Sequence, residues 1–305
     1  MVGLKSVDGI SMRPRREHAQ SGRIGFGGKT VCTLTLLLLV AGACRCCAQD
    51  GSTLLHKMAD AYQHLSTYDI HSNVDVWMSG GGRTLTSKSS SNLMQFKRPN
   101  KLVLVVYNNS PTGTRSIYSD GTTLTVYDAV PNHYFSGPTA PNMESMINLL
   151  MARAQVSAQL DPLYFLCTSK LPPKLTELKA AGNTTLNGRL CYVVTGVIRS
   201  TPAPAPKARQ NSNAATANVM HWTWYIDQQT FLLNKLEGHS DTINVTGSGR
   251  VQGKNVPVKV GVVMNLRNSV SSFKANSPID DSVFVFHAPA GATGQQVSLP
   301  AKGGR

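Results

Sequence analysis

Val256-Pro-Val-Lys-Val-Gly-Val-Val-Met-Asn-Leu-Arg267 is the stretch that decides the fold. Val256, Val258, Val260, Val262, Met264 and Leu266 fall at every second position, and Lys259, Asn265 and Arg267 point the other way. In an extended chain successive side chains face opposite sides, so this period describes a strand with one apolar face and one solvated face. A helix would bring its apolar positions back at three and four.

The same period returns on either side. Met220, Trp222, Trp224 and Ile226 alternate with His221, Thr223, Tyr225 and Asp227, and a Gln228-Gln229 turn leads into residues 231–237. Near the start, Ile70, Val74, Val76 and Met78 alternate with His71, Asn73, Asp75 and Trp77 before a Gly80-Gly81-Gly82 turn. Strand patterns follow at residues 84–96, 101–107, 115–119, 123–127 and 133–136, punctuated by Arg98-Pro99-Asn100 and Asp120-Gly121. Residues 175–179 and 189–197 flank Asn187-Gly188, a strong hairpin signal, and residues 283–286 close the series.

Helical spacing interrupts this rhythm in three places. Ser52 or Thr53 is placed to cap a helix carrying Leu54, Leu55, Met58, Tyr62 and Leu65. Pro141-Asn142 opens a Met-rich stretch with Met143, Met146, Ile147, Leu150 and Met151, and Asp161-Pro162 starts a short helix through Leu163, Phe165 and Leu166. Helices this apolar need cover on more than one side, either as plain core or as a lid over a cavity.

With no βαβ alternation, doubly wound folds are excluded. The expected class is α+β, mainly β: a strongly curved antiparallel sheet of about 10–11 strands, a half-open β-barrel, with two or three helices as a lid on its concave face. The boundaries expected are a signal peptide and extension at 1–48, one domain at 49–293 and a disordered tail at 294–305. A Pro/Ala-rich mobile loop is expected at 200–218, inserted between strands.

Arg13, Arg15, Arg16, Arg23 and Lys29 precede an apolar run at residues 31–43, the order of a secretory signal. That run falls short of the about 20 residues that cross a bilayer. Met12 competes with Met1 as the start. Ala41-Gly42-Ala43 and Cys46-Cys47-Ala48 suit a signal peptidase, which releases a soluble protein; Val40-Ala41-Gly42-Ala43-Cys44 approximates a lipobox, which would lipidate Cys44 and anchor the chain to a membrane. Either route ends in the periplasm or cell envelope.

Of six cysteines only Cys167 and Cys191 lie outside the signal region. An oxidising compartment favours a disulfide between them; two buried thiols are the alternative. The net charge of +14 suits acidic headgroups or a solvated surface, and without an RNP-type aromatic motif or zinc-finger spacing no nucleic-acid partner is expected. Histidines are scattered without metal-ligand spacing, and no GxSxG, P-loop or Rossmann glycine pattern occurs, so neither metal nor cofactor nor enzymatic activity is expected.

Several segments, taken in order, carry a resemblance. They are residues 55–62 (LHKMADAY), 96–102 (FKRPNKL), 119–124 (SDGTTL) with Tyr127-Asp128, 224–227 (WYID) and 284–292 (FVFHAPAGA). The chain resembles a periplasmic domain-of-unknown-function family grouped with the outer-membrane lipoprotein carrier and receptor superfamily. The resemblance implies a half-open barrel whose lidded concave face accommodates acyl chains or another amphiphile.

The expected cavity lining is Val74, Val76, Met78, Leu102, Leu104, Val126, Met146, Leu150, Trp222, Trp224, Val258, Val260 and Val262. The two tryptophans read more readily as ordinary core, where each indole N–H needs only a partner. The function expected is a binding protein for a lipid or acylated ligand, in envelope lipid or lipoprotein trafficking. An envelope-stress sensor or protein-interaction module on the same fold, with an envelope protein as partner, is the alternative, ahead of a hydrolase.

Overall fold

The structure is a computed structural model that describes residues 50–108, 113–153, 162–200, 218–251 and 254–296. The expected signal peptide with Cys44, residues 201–217 of the expected loop and residues beyond 296 lie outside the described residues. Helix α1 (Gly51–Gln63) leads into strands β1 (Thr67–Gly80), β2 (Arg83–Lys97), β3 (Lys101–Asn108), β4 (Arg115–Asp120), β5 (Thr123–Asp128) and β6 (His133–Pro138). Helices α2 (Met143–Arg153) and α3 (Pro162–Cys167) precede β7 (Leu175–Leu186), β8 (Arg189–Ser200), β9 (Asn218–Asp227), β10 (Leu233–Ser240), β11 (Ile243–Val251) and β12 (Lys254–Ala275). A 3₁₀ turn (Asp281–Phe284) and β13 (Thr293–Gln296) end the described chain.

The strands form one curved, open sheet in the order β13-β6-β5-β4-β3-β2-β1-β12-β10-β9-β8-β7, with β11 beside β12. Among the described residues every pairing is antiparallel except β13 with β6, and the sheet has 13 strands, more than the hydrophobic pattern suggests. Strand β11 has few apolar residues and follows the ladder that β12 offers it, from Ile243 opposite Val262 to Val251 opposite Lys254. Strand β13 (TGQQ) is exposed throughout and held by its parallel ladder to β6, so the ordered chain passes the expected end at 293. Residues 281–284, by contrast, form a 3₁₀ turn rather than a strand, because the Asp280 carboxylate accepts the Ser282 N–H (2.8 Å).

Helix α1 begins two residues earlier than a Ser52 cap implies and three earlier than a Thr53 cap. Asp50 is its N-cap, with its carbonyl accepting the Leu54 N–H (3.1 Å) and no side-chain cap bond. Gly51 lets this end press on β7: a Cβ there would sit 2.7 Å from the Lys179 carbonyl carbon. The helix buries Leu54, Leu55, Met58, Ala59 and Tyr62 in one cluster with Met143, Met146 and Leu150 of α2 and Leu163, Phe165 and Leu166 of α3. Tyr68, Ile70, Phe96, Leu102, Ile117, Val194 and Trp224 bring the sheet into that cluster, so all three helices cover the same face. Each such side chain stabilises by about 1.5–3 kcal/mol when fully buried.

On the opposite face the residues after β12 form a strap across β3 and β4. Phe284 is fully buried against Val103 and Val105, and Phe286 meets Tyr118, Tyr127 and Tyr134 at centroid distances of 5.4, 5.7 and 5.2 Å. Asp281 pins the strap by ion pairs to Lys97 and Lys101, both 2.8 Å.

Cys167 and Cys191 are both buried and not joined to each other, so the expected disulfide is not formed. Cys167 belongs to the helix-side core. Cys191 lies opposite Asp227 and alternates with Tyr192 and Val194, which face that core, so the sheet stands between the two thiols.

Phe284→Ala is expected to lower unfolding stability by about 3–5 kcal/mol in denaturant melts, whereas Leu190→Ala at an exposed position stays within about 0.5 kcal/mol. Hydrogen bonds from Lys101 and Lys97 hold the Asp281 carboxyl down to about 2. A depressed carboxylate stabilises the fold above its unfolded value of about 3.9 and loses that contribution as pH falls through the folded value. Melts of Asp281→Asn against the unchanged chain should therefore differ by a constant amount above pH about 5 and converge towards pH about 2.

Candidate functional site

Registers across the strands sort the helix-bearing face into rows. One row runs Ser90, Val74, Asn268, Leu236, Trp224, Val194; the next Lys88, Val76, Leu266, Gly238, Trp222, Gly196; the next Thr86, Met78, Met264, Ser240, Met220, Ile198. Beyond them Val262 faces Gly80 and Ile243, and Val260 faces Val245. Opposite residues in an antiparallel pair share a face, so the expected strand residues of the lining do lie on one surface.

The helices divide that surface. Leu102, Leu104, Val126, Met146, Leu150 and Trp224 are only 0–8% exposed and belong to the packed cluster with α1, α2 and α3. Val74, Val76, Met78, Trp222 and Val260 are half-buried, in rows that lead away from that cluster. Met264 (37%), Val245 (38%) and Val258 (39%) are exposed side chains of the apolar surface beyond the helices. Val262 is buried by its neighbours, among them Leu85, which a β-bulge in β2 turns towards Gly80.

Glycines shape the middle rows. A Cβ on Gly238 would meet the Trp222 ring at 2.6 Å, and one on Gly196 would meet Leu178 at 2.8 Å and the Trp224 ring at 3.2 Å. The Trp222 indole therefore lies across β10 towards β12. Among the described residues, four polar atoms of this face are buried without a hydrogen-bond partner: Asn92 Oδ1, Asn268 Oδ1, Trp222 Nε1 and Trp224 Nε1.

Sequence reasoning placed the tryptophans but missed both asparagines, as well as Leu266, Met264, Met220 and Val245. Continuing the β12 alternation from Met264 and Leu266 would have reached Asn268, a polar residue where an apolar one is due.

Charge is concentrated on the other face. There the Tyr225 hydroxyl donates to Glu237 (2.9 Å), which also pairs with Lys235 (2.7 Å) and Arg267 (3.2 Å). Burial, and then the Glu237 carboxylate, push the Tyr225 phenol up to about 12. A separate groove of about 500 Å³ opens where α1 ends, between Gln63, Arg98, Glu144, Cys167 and Lys170. Its Arg98 is committed to the fold, donating from Nε to the Leu65 carbonyl (2.9 Å) and from Nη2 to the Tyr62 carbonyl (3.2 Å). Among the described residues no group of His, Cys, Asp and Glu is arranged to hold a metal, and no helix is long and apolar enough to cross a membrane.

A curved antiparallel half-barrel with helices on one face is thus the class of protein defined. The chain belongs to the family described as Predicted periplasmic protein (DUF2092), whose model matches residues 51–298. No curated protein matches it.

Among solved structures it is similar to the lipoprotein LppX of Mycobacterium tuberculosis, at 18% identity over 75% of this chain and 98% of that one, with a TM-score of 0.33. LprF of Mycobacterium bovis is 12% identical over 79% of this chain and 97% of its own, with a TM-score of 0.38. A LolA superfamily protein of Nitrosomonas europaea is 11% identical over 78% and 99%, with a TM-score of 0.30.

Gly238→Ala should force the Trp222 ring off β10. The expected outcome is a loss of about 1–3 kcal/mol in denaturant melts together with a red-shifted tryptophan emission, while Gly82→Ala, in an open turn, leaves the emission unchanged.

Proposed function

We propose that this chain is an exported periplasmic binding protein that holds the apolar tail of an amphiphile against the rows of the helix-bearing face that the helices leave uncovered, without catalysing a reaction. The observation that carries this reading is the continuity of that surface, from the packed core at Leu236 and Trp224 through Val76, Leu266 and Trp222 to Met264, Val245 and Val258. Exposed contiguous apolar surface on a soluble domain marks a place where something else binds. Membership of a family described as periplasmic agrees with the basic-then-apolar start of the chain.

An acyl chain suits the surface because every buried methylene contributes about 0.8 kcal/mol, and the thioether side chains of Met78, Met220 and Met264 adapt to irregular tails. Lys88, exposed beside Val76 in the same row, offers an acidic headgroup a partner, and the excess of basic residues favours its approach. The enclosing role assigned to α2 from sequence becomes that of a wall: its Met146 and Leu150 close the packed end of the face, and the tail lies beyond them.

The chain exported from its own envelope should carry a lipid-like mass after organic extraction, and the delipidated form should bind a fluorescent fatty acid. Met264→Glu, at an exposed position, is expected to weaken that binding at least tenfold while moving the thermal midpoint by no more than a degree or two. A chain that yields no such mass and binds no fatty acid rules the reading out.

A further inference from the structure

Asn92, Asn268, Trp222 and Trp224 are scattered along the sequence, yet their unpartnered polar atoms all lie on the helix-bearing face. Asn268 is opposite Val74 on one side and Leu236 on the other, and Leu236 is in turn opposite Trp224. One row further, the Trp222 ring leans across Gly238 towards Leu266, the next residue of this face after Asn268. Asn92 continues the group on the β2 side, opposite Ser72. These residues mark the border where the packed core ends and the uncovered apolar rows begin.

The chemistry of the group is specific. Two indole N–H groups can only donate, and the two amide oxygens can only accept. Asn268 is 6% exposed and Trp224 fully buried, so bulk water does not reach them. Buried polar atoms without partners cost stability, and leucine or phenylalanine would fill the same space without that cost. A purely hydrocarbon ligand would leave all four atoms unpaired.

We propose that Asn268 and Trp222, flanked by Asn92 and Trp224, form a hydrogen-bonding subsite for the polar junction of the bound amphiphile, a linkage with a carbonyl to accept from an indole and a hydroxyl to donate to an amide oxygen. The chemical class is a hydroxylated acyl ester or amide. This rests on the binding role proposed above and adds to it a requirement on the ligand: the tail runs over Leu266, Met264 and Val258, and the junction sits at the border with the core.

Isothermal titration of the full chain with monooleoylglycerol and with octadecene, both delivered from a cyclodextrin, tests the proposal. The two probes share an 18-carbon chain, and only the first has the ester and hydroxyls. Asn268→Leu is expected to weaken monooleoylglycerol about tenfold, one hydrogen bond's worth, to change octadecene less than twofold, and to raise the thermal midpoint of the unliganded protein. Trp222→Phe, which keeps a ring and removes the donor, should act on the two ligands in the same way.

Unchanged monooleoylglycerol affinity in both variants, or a lowered midpoint in Asn268→Leu, overturns the subsite while leaving the apolar binding role standing. Failure of both probes to bind the unmodified chain removes that role, and the subsite with it.

Discussion

The hydroxyl of Tyr62 is buried where α1, the sheet and α3 meet, and the arrangement of the helix-bearing face depends on its being satisfied there. It accepts the Leu233 N–H at 3.2 Å, lies 3.5 Å from the Tyr68 hydroxyl, and its ring stacks on Phe165 at a centroid distance of 6.3 Å. The same residue's carbonyl receives Arg98, which brings the β2–β3 turn to the end of α1. A phenol left unpaired at this depth would cost about 1–3 kcal/mol, so the helix is fixed in one register against β10 and β1. Burial and the neighbouring Tyr62 raise the Tyr68 phenol well above its ordinary value, which keeps the Tyr68 hydroxyl neutral.

Fixing α1 at this place determines which part of the sheet is filled. The helices are short relative to β1, β2 and β12, and their apolar side chains reach Phe96, Leu102 and Trp224. Strand β12 continues for several residues past that limit with its alternation intact, and β11 lengthens the sheet rather than covering it. One face therefore does two jobs. Its packed part supplies stability, and its open part supplies a surface whose shape the packed part holds steady.

How much of this could be read from the sequence follows from what each element is stabilised by. Strands β1, β9 and β12 and helix α1 are held by burial of one apolar face, and burial leaves a period that is visible in the chain. Strands β11 and β13 are held by backbone ladders to neighbours, which leave no side-chain signature, so they went unseen. The strap residues Val283 to Phe286 read as a strand because Phe284 and Phe286 alternate, but the Asp280 cap tightens the chain into a 3₁₀ turn before the pattern can extend. Cys167 and Cys191 suggested a disulfide because spacing along the chain says nothing about which side of a sheet each thiol occupies. The lining residues Val74, Val76, Met78, Trp222, Val258 and Val260 share a face because alternation guarantees it. Which of them the helices would bury depended on where α1 docks, and that is set by tertiary hydrogen bonds to Tyr62 and Arg98.

The same reasoning explains why the border between the two parts is the informative place. A sheet face selected only for stability would carry aliphatic residues straight across, since isolated buried amides and indole N–H groups subtract from a net stability of only about 5–15 kcal/mol. Here Gly196 and Gly238 give up side chains beside Trp222 and Trp224, and Asn92 and Asn268 take positions that the alternation reserves for apolar residues. Strands elsewhere in the sheet follow the local rules of packing closely. Departures that accumulate on one row and its neighbours, next to an apolar surface that no described element covers, are more economically explained by a ligand that completes the row than by separate accidents in four strands.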